Sequence, residues 1–304
     1  MKQLFLILFS CILLTVNAQD WNIPKVGDGG WEVEQEFTLN KKRRNILLIS
    51  EASAYTVALV GLNQLWYADY PKSSFHFIND NEEWLQMDKM GHMSASYYTG
   101  VAGIKAYEWA GFSRKNAIWY GGMTGSIFLT VIEVLDGTSE QWGASSGDLI
   151  ANTTGSLLAI GQALKWNEQR IQLKYSYSPS NMAAKNPEQL GSNHLERALK
   201  DYNGQTYWLT LNLKSLLQIE NPDFPSWLSL ALGYGADEMV NPYHEEGDAE
   251  RYRQFLMSFD VDLNKIKTKN KTLNSVLHTF GFLKFPTPAI QYRNGNIFFH
   301  PVYY

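Results

Sequence analysis

The spacing of hydrophobic residues changes near the middle of the chain. Between residues 45 and 167, apolar residues recur at helical intervals, which predicts four helices, at residues 45–67, 88–110, 113–135 and 148–166. Asp88 and Ser113 are suitable N-caps, and Gly111 and Gly137 are suitable helix stops. The connections after the second and third helices are short, which favours antiparallel neighbours in a helical bundle.

Small residues recur along these helices, mostly three or four positions apart. They include Ser96, Gly100, Gly103, Gly121, Gly122, Gly125, Gly155, Ala159 and Ala163. A glycine inside a helix costs up to about 1 kcal/mol relative to alanine, so this pattern indicates closely approaching helix backbones, as in membrane helices. A tightly packed soluble bundle is the alternative. Glu51, Lys105 and Glu108 argue against lipid on all sides.

Beyond residue 168 the hydrophobic period is two, which is typical of half-buried strands. The alternation is clearest at residues 171–177 and 255–263, and further strands are predicted at 206–213, 227–235, 289–293 and 296–300. Asn294-Gly295 is the favoured dipeptide for a tight hairpin turn. About six strands are too few for a closed barrel of the usual ~8, so we expect a partly open antiparallel sheet that covers the bundle.

These patterns predict an α+β protein with a helical bundle at residues 45–167 and a mostly antiparallel β region at residues 168–304. Residues 1–18 have one lysine, an apolar stretch and a small-residue cleavage site, which predicts a secretory signal peptide. Residues 19–44 are expected to form an exposed lead-in. The single cysteine, Cys11, lies inside the signal and is poorly placed for lipidation, because an apolar sequence continues beyond it.

Composition narrows the choice of partner. The formal net charge is -4 and the pI is near 5.9, which argues against nucleic acid, since phosphate-binding proteins usually carry a basic excess. Aromatic residues make up 14% of the chain, which suits membrane interfaces or carbohydrate surfaces, although large cores also use them. We therefore expect an exported protein of the periplasm or outer membrane, with a membrane or envelope component as its partner.

Polar residues mark one end of each of three predicted helices. Because the second and fourth helices begin where the third one ends, their polar residues are expected to meet at one pole of the bundle. The expected cluster contains Asp88, Lys89, His92, Ser96, Glu133, Asp136, Asp148 and Asn152. Charge placed in such apolar sequence is costly unless it is paired or used.

This cluster is compatible with two kinds of chemistry and with a purely structural role. Imidazole and carboxylate groups bind divalent cations, which predicts a metal site at His92, Glu133, Asp136 and Asp148. The same groups can activate water by general base catalysis. Alternatively, Asp88 and Asp148 are N-caps, and Lys89 forms ion pairs with the remaining acids.

The order of these motifs resembles that of a known family. Residues 84–166 resemble the YfiM-like family of predicted periplasmic lipoproteins of unknown function through Asp88-Lys89, His92, Ser96, Glu133, Asp136, Gly143-Ala144-Ser145, Asp148-Leu149, Asn152 and Gly155. The Asp-Lys-x-x-His start is also similar to that of VanZ-like membrane proteins. The resemblance implies an exported envelope protein and no particular reaction, and it leaves the β region uncovered.

Two main functions follow. The favoured one is a membrane-associated structural or interaction protein of the cell envelope, in which the polar cluster stabilises the fold. The alternative is a metal-assisted hydrolase acting on a lipid or cell-wall precursor, with His92 as a base or ligand and the acids as ligands. A small-ligand carrier that uses the sheet is supported only by the aromatic content.

Overall fold

The computed structural model describes residues 38–68 and 70–304. The predicted signal peptide at 1–18, Cys11 within it, and residues 19–37 of the predicted lead-in lie outside the described residues. The described chain is an α+β protein, as predicted, with long helices in its first half and an antiparallel sheet in its second half.

Four long helices form the first half. They are α1 (Lys41–Leu62), α2 (Met87–Trp109), α3 (Arg114–Gly137) and α4 (Ser146–Trp166). Helix α1 continues as one π-helical turn over Asn63–Tyr67, and α3 contains a π-helical turn at Ala117–Gly121. Asn40 caps α1 by accepting a hydrogen bond from the backbone N–H of Arg43, so the helix starts before residue 45. Residues 41–44 therefore belong to the helix and not to a lead-in.

The helix caps agree with the prediction in part. Ser113 caps α3, since its side chain accepts from the backbone N–H of Asn116. The prediction that Asp88 and Asp148 are N-caps is wrong. A 3-10 turn at Glu83–Gln86 leads into α2, so Asp88 already lies in the first helical turn. Ser145 caps α4 by accepting from the N–H of Asp148.

Helix α2 packs against both α3 and α4 at positions occupied by small residues. A Cβ atom built on Gly100 would lie 2.7 Å from the carbonyl oxygen of Gly122 in α3, and one built on Gly125 would lie 2.6 Å from that of Ser96. The earlier residue of α2, Ser96, contacts the later residue of α3, Gly125, and the later residue of α2, Gly100, contacts the earlier residue of α3, Gly122. The two helices are therefore antiparallel. Helix α4 runs parallel to α2, since Gly155 packs against the backbone of Met93 and Ala159 faces Gly100.

A short parallel pair ties the connections to the pole of the helical half. Strand β1 (Phe77–Ile78) pairs with β2 (Ala144–Ser145) immediately before α4. This pairing brings the loop that precedes α2 against the connection between α3 and α4. Asp80 is thereby carried close to the starts of α2 and α4.

The second half is a six-stranded sheet in which every strand pairs with its neighbour in sequence. Its strands are β3 (Ile171–Tyr177), β4 (Gln205–Asn212), β5 (Leu228–Asp237), β6 (Tyr252–Val261), β7 (Thr287–Arg293) and β8 (Asn296–Tyr303). Asn294 and Gly295 form the β7–β8 turn with φ of 47° and 77°, as the dipeptide predicts. Short helices at Pro187–Leu190, His194–Lys200, Leu213–Leu216 and Lys271–Thr279 lie in the connections.

The sheet joins the helical half through its first strands. The hydroxyl of Tyr97 donates to the carbonyl of Ile171, and that of Tyr98 donates to the carbonyl of Leu173, so α2 lies against β3. Gln162 of α4 also bonds Ile171, through its N–H and its carbonyl. Strand β3 is consequently buried on both faces.

The described helices include two that are long and apolar enough to cross a membrane. The mean hydropathy is 1.5 over the apolar window of α1 and 1.4 over that of α3. Over half of the α3 window is buried inside the protein, which also fits a core helix, whereas only 17% of the α1 window is buried. The apolar side chains of α1, such as Ile49 and Val57, therefore face outwards.

Candidate functional site

His92 lies at the centre of a buried polar cluster where the start of α2, the end of α3 and the start of α4 meet. Its Nε2 atom is 3.7 Å from Asp88 Oδ2, 3.9 Å from Glu133 Oε1 and 3.7 Å from Asp148 Oδ2. His92 and Asp148 are each only 4% exposed, and Glu133 is 3% exposed. Three carboxyl groups from three helices thus surround one imidazole nitrogen.

The other nitrogen of His92 is held by an amide. His92 Nδ1 lies 2.9 Å from Asn152 Oδ1, and because that oxygen only accepts, Nδ1 carries the proton. In the neutral ring, Nε2 then presents its lone pair to the surrounding carboxyl groups. Ser96 lies one turn further along α2, where its hydroxyl donates to the backbone carbonyl of Asn152 and contacts Ser156 Oγ at 2.9 Å. Ser96 therefore supports the helix contact beneath His92.

Two of the three carboxyl groups around His92, those of Asp88 and Glu133, also have one oxygen held by another partner. The Tyr202 hydroxyl donates to Asp88 Oδ1 at 2.7 Å, and the Ser145 backbone N–H donates to Glu133 Oε2 at 2.9 Å. The second oxygen of each group is the one that faces Nε2. The ligand-type atoms are therefore oriented towards one point by their neighbours.

Lys89 supplies positive charge at the edge of the cluster. Its Nζ atom lies 2.5 Å from Asp80 Oδ2, 3.3 Å from Asp148 Oδ1 and 3.9 Å from Asp88 Oδ2. Ser145 Oγ donates to the other oxygen of Asp80 at 2.5 Å. Four carboxyl groups thus share one lysine and one histidine in a buried environment, which leaves an excess of negative charge when all of them are ionised.

Burial is the main cause of the shifted protonation of two of these acids. Burial raises the pKa of Glu133 to about 8, where nearby Asp148 raises it and His92 lowers it. Burial raises the pKa of Asp148 to about 9, and the neighbouring carboxylate of Asp88 adds to the rise. Without another cation, the folded protein therefore holds protons on carboxyl groups that would be ionised in water.

The geometry of the cluster suits a metal ion. Asp88, His92 and Asp148 each offer one ligand atom, and these atoms lie within 4.8 Å of one another. In a tetrahedral site with metal–ligand distances of about 2.1 Å, neighbouring ligand atoms are about 3.4 Å apart. The separations from Nε2 to the oxygens of Asp88 and Asp148 are both 3.7 Å, which is close to this value. Glu133 Oε1 lies 3.9 Å from Nε2 and is outside the group of mutually close ligand atoms, so it would have to shift to complete the site.

The structure brings six of the eight candidate residues together around the same point. These are Asp88, Lys89, His92, Glu133, Asp148 and Asn152. Ser96 lies one helical turn away. Asp136 accepts a hydrogen bond from the Tyr67 hydroxyl at 2.6 Å and does not belong to the group of mutually close ligand atoms. The predicted inclusion of Asp136 among the metal ligands does not match this placement, because the last turn of α3 directs it towards the end of α1.

Sequence reasoning did not assign to the cluster three residues that hold it in place. Ser145 had a local signal, since a serine three positions before Asp148 matches the start of a capping box. Asp80 and Tyr202 had none, because Asp80 lies in the loop before α2 and Tyr202 lies after the short helix at 194–200. Only the tertiary fold brings them to the pole.

A comparison with protein families agrees with the export prediction. One family model matches residues 75–162, a range that contains α2, α3 and most of α4. The family is described as predicted periplasmic lipoprotein (DUF2279). This supports the resemblance at the level of that family and agrees with an exported protein of the periplasm or outer membrane. No curated protein and no solved structure matches the chain significantly. The YfiM-like name and the similarity to VanZ-like proteins stay predictions.

Proposed function

We propose that this exported protein is a membrane-associated structural or interaction protein of the cell envelope, and that a divalent cation locks the pole of its helical half. The observation that carries the cation site is the position of His92 Nε2 among three carboxylate oxygens at 3.7, 3.9 and 3.7 Å. The ligands come from α2, α3 and α4, so one ion would cross-link all three helices.

The surroundings of these residues support metal binding over a simple ion-pair network. Asn152 fixes the tautomer of His92, and Tyr202 and Ser145 orient the carboxyl groups of Asp88 and Glu133. Partners of this kind hold the ligands of many metal sites in position. A divalent cation would also neutralise the excess negative charge, so that Glu133 and Asp148 would no longer need to hold protons.

The alternative function, a metal-assisted hydrolase acting on a lipid or cell-wall precursor, draws on the same residues. Catalytic metal sites keep one coordination position open for water and substrate, whereas structural sites are closed. His92, Glu133 and Asp148 are almost completely buried, which favours the structural role. The chemistry of the ligands alone is compatible with both functions.

The membrane association is supported by the outer surface of the helices. The apolar window of α1 is only 17% buried, and Ile49, Val57 and Val60 are more than half exposed. Helix α4 likewise exposes Ile150. Apolar side chains on the outside of long helices gain free energy when lipid replaces water, at roughly 25 cal/mol per Å².

The metal content of the purified full-length protein tests the cation site. We expect about one divalent ion per chain, a lower Tm after chelation, and recovery when zinc, manganese, magnesium or calcium is added back. His92→Ala should lose both the ion and the response, whereas His194→Ala, which removes an exposed histidine, should keep both. A purified protein that contains no divalent ion, and whose Tm changes neither with chelator nor with added metals, would overturn the proposed cation site.

Alkaline washing of membranes that contain the protein tests the association. We expect most of the protein to stay in the pellet, because apolar contacts resist high pH while electrostatic contacts do not. Complete release into the wash would contradict the proposed membrane association and would leave the cation site to be judged by the metal measurements.

A further inference from the structure

The outer face of the six-stranded sheet carries large exposed apolar side chains. In β6, Phe255, Met257 and Phe259 are 50%, 48% and 56% exposed, whereas Ser258 and Asp260 on the other face are buried, together with a small apolar cluster of Trp208, Ala231, Leu256 and Ala289. An antiparallel sheet in water normally solvates a polar face and packs its apolar face on a core.

The exposed apolar residues are continuous across the sheet. Leu209, Leu232, Met257, Ile290 and Phe299 are directly opposite one another on β4 to β8, and all five are exposed. A second row is offset by two residues along the strands. We call the exposed residues of both rows and Phe259 the apolar sheet face: Leu209, Leu232, Phe255, Met257, Phe259, Ile290, Tyr292, Ile297 and Phe299.

The opposite face is already closed by the curl of the sheet. Thr206 Oγ1 of β4 lies 3.0 Å from the Tyr303 hydroxyl of β8, so the second and last strands meet across the concave side. Lys174 Nζ pairs with Asp260 Oδ2 at 2.5 Å inside this curl, with neither side chain exposed. The polar groups are therefore satisfied internally, and it is the apolar sheet face that has no cover among the described residues.

We propose that the apolar sheet face contacts the acyl chains of a lipid bilayer. This inference rests on the proposed membrane association and assigns it to the sheet as well as to the helices. A continuous row of exposed apolar side chains across neighbouring strands is the pattern of a sheet surface that faces lipid. Arg253, at the start of β6, is exposed on the same face as Phe255 and places a basic group at the end of the apolar rows, where headgroups would lie.

The length of the apolar band limits its depth. Along β6, its exposed side chains run from Phe255 to Phe259, which spans about 13 Å at about 3.3 Å per residue. Strands that face lipid are tilted by about 45°, so the band would cover about 9 Å along the bilayer normal. The hydrocarbon core is about 30 Å thick. The apolar sheet face therefore enters one leaflet and does not span the core.

Spin labelling of the full chain in phosphatidylethanolamine–phosphatidylglycerol vesicles tests this placement. The single cysteine, Cys11, is replaced by serine, and labels are attached to Met257→Cys or, as a control in an exposed loop, to Glu246→Cys. We expect oxygen to relax the label at 257 efficiently and a water-soluble nickel chelate to relax it poorly, with the reverse at 246. Equal access of the chelate to both labels would overturn the inference.

Three further outcomes separate the inference from its premise. Shielding of the label at 257 together with dipolar broadening between labels would show that a second copy of the chain covers the face, which contradicts lipid contact. If the protein stays in the membrane after alkaline washing but the label at 257 is exposed to water, the contact between the apolar sheet face and lipid is overturned and the membrane association is not. Complete release would overturn the membrane association itself.

A matched pair of variants gives a second readout. Phe255→Ser with Phe259→Ser should weaken vesicle binding at least tenfold in a flotation assay. Leu195→Ser with Leu217→Ser removes two apolar side chains outside the face that are more exposed than Phe255 and Phe259, and it should leave binding unchanged. Circular dichroism checks that both double variants are folded. Equal binding by the two would contradict the proposed lipid contact.

Discussion

The Nδ1 atom of His92 lies 2.9 Å from the side-chain oxygen of Asn152, where α2 and α4 run side by side in the protein interior. This hydrogen bond fixes the ring so that Nε2 faces Asp88, Glu133 and Asp148. The orientation of one imidazole thus depends on an amide 60 residues away in the sequence.

Replacing Asn152 should weaken the proposed cation site without removing a ligand. Asn152→Leu deletes the acceptor for His92 Nδ1–H, and loss of such a partner typically lowers metal affinity 10–100-fold. Asn152→Asp keeps an acceptor and should retain most of the affinity. Competition with a chromophoric chelator measures both values. Equal affinities for Asn152→Leu and the wild type would show that the hydrogen bond does not support metal binding.

Neutralising one carboxyl group should have opposite effects in the presence and absence of a cation. Glu133→Gln and Asp148→Asn each remove a buried acid, so without a cation they should be at least as stable as the wild type at pH 7, because a neutral amide avoids the cost of protonating a carboxyl group that is ionised in the unfolded chain. With saturating cation the wild type should have the higher Tm, since it gains binding free energy. Thermal unfolding with and without chelator compares the three proteins in both conditions. Variants with a lower Tm than the wild type in both conditions would indicate a purely structural role for these acids.

The close contact of α2 and α3 should not tolerate side chains at its glycines. Gly100→Val places a Cβ atom 2.7 Å from the carbonyl oxygen of Gly122, so the helices must separate, and we expect a loss of at least about 2 kcal/mol.

Gly161→Ala is the matched control for this prediction, because no atom lies within 4 Å of a Cβ built at that position of α4. It should stabilise the protein by up to about 1 kcal/mol through helix propensity. Chemical denaturation measures both changes in the free energy of unfolding. Similar effects of the two substitutions would argue against close packing at Gly100.

Several of these features could be predicted from the sequence. The spacing of apolar residues and the short connections determine where the helices lie and in which direction they run, and those directions bring Asp88, Glu133 and Asp148 to one pole. Asp80 and Tyr202 were missed because no periodicity links a loop or the residues before a strand to that pole. The position of Asp136 depends on its hydrogen bond to Tyr67 at the end of α1.

The polarity of the sheet could not be predicted for a different reason. The alternation in β6 shows that Phe255 and Gln254 lie on opposite faces, but it does not say which face is enclosed. That depends on the curl of the whole sheet, in which Thr206 of β4 meets Tyr303 of β8.

The buried Lys284 should produce a pH dependence of stability in the alkaline range. Burial lowers the pKa of Lys284 to about 8, and the attraction of Asp260 offsets this only in part. In the unfolded chain a lysine titrates near 10.5, so above pH 8 the unfolded state holds more protons than the folded state. The cost of burying this charge is fully present below pH 8 and is relieved as the pH rises, by up to about 1.4 kcal/mol per pH unit.

Lys284→Met isolates this contribution. The variant leaves Asp260 paired with Lys174 at 2.5 Å and lacks this contribution, so the wild type should gain stability relative to the variant as the pH rises. Denaturant unfolding measures the free energy of unfolding of both proteins between pH 7 and 9.5. This range lies below the pKa of ordinary tyrosines, so tyrosine titration does not interfere. Parallel curves for the variant and the wild type would contradict the lowered pKa of Lys284.

The central claim is that a divalent cation occupies the point surrounded by Asp88, His92, Glu133 and Asp148. An anomalous difference map from crystals grown with manganese or zinc tests it most directly. We predict one strong peak about 2.0–2.3 Å from His92 Nε2 and from at least two of the three carboxyl groups. A map without a peak at that point, with His92 instead bonded directly to a carboxyl group, would contradict the claim.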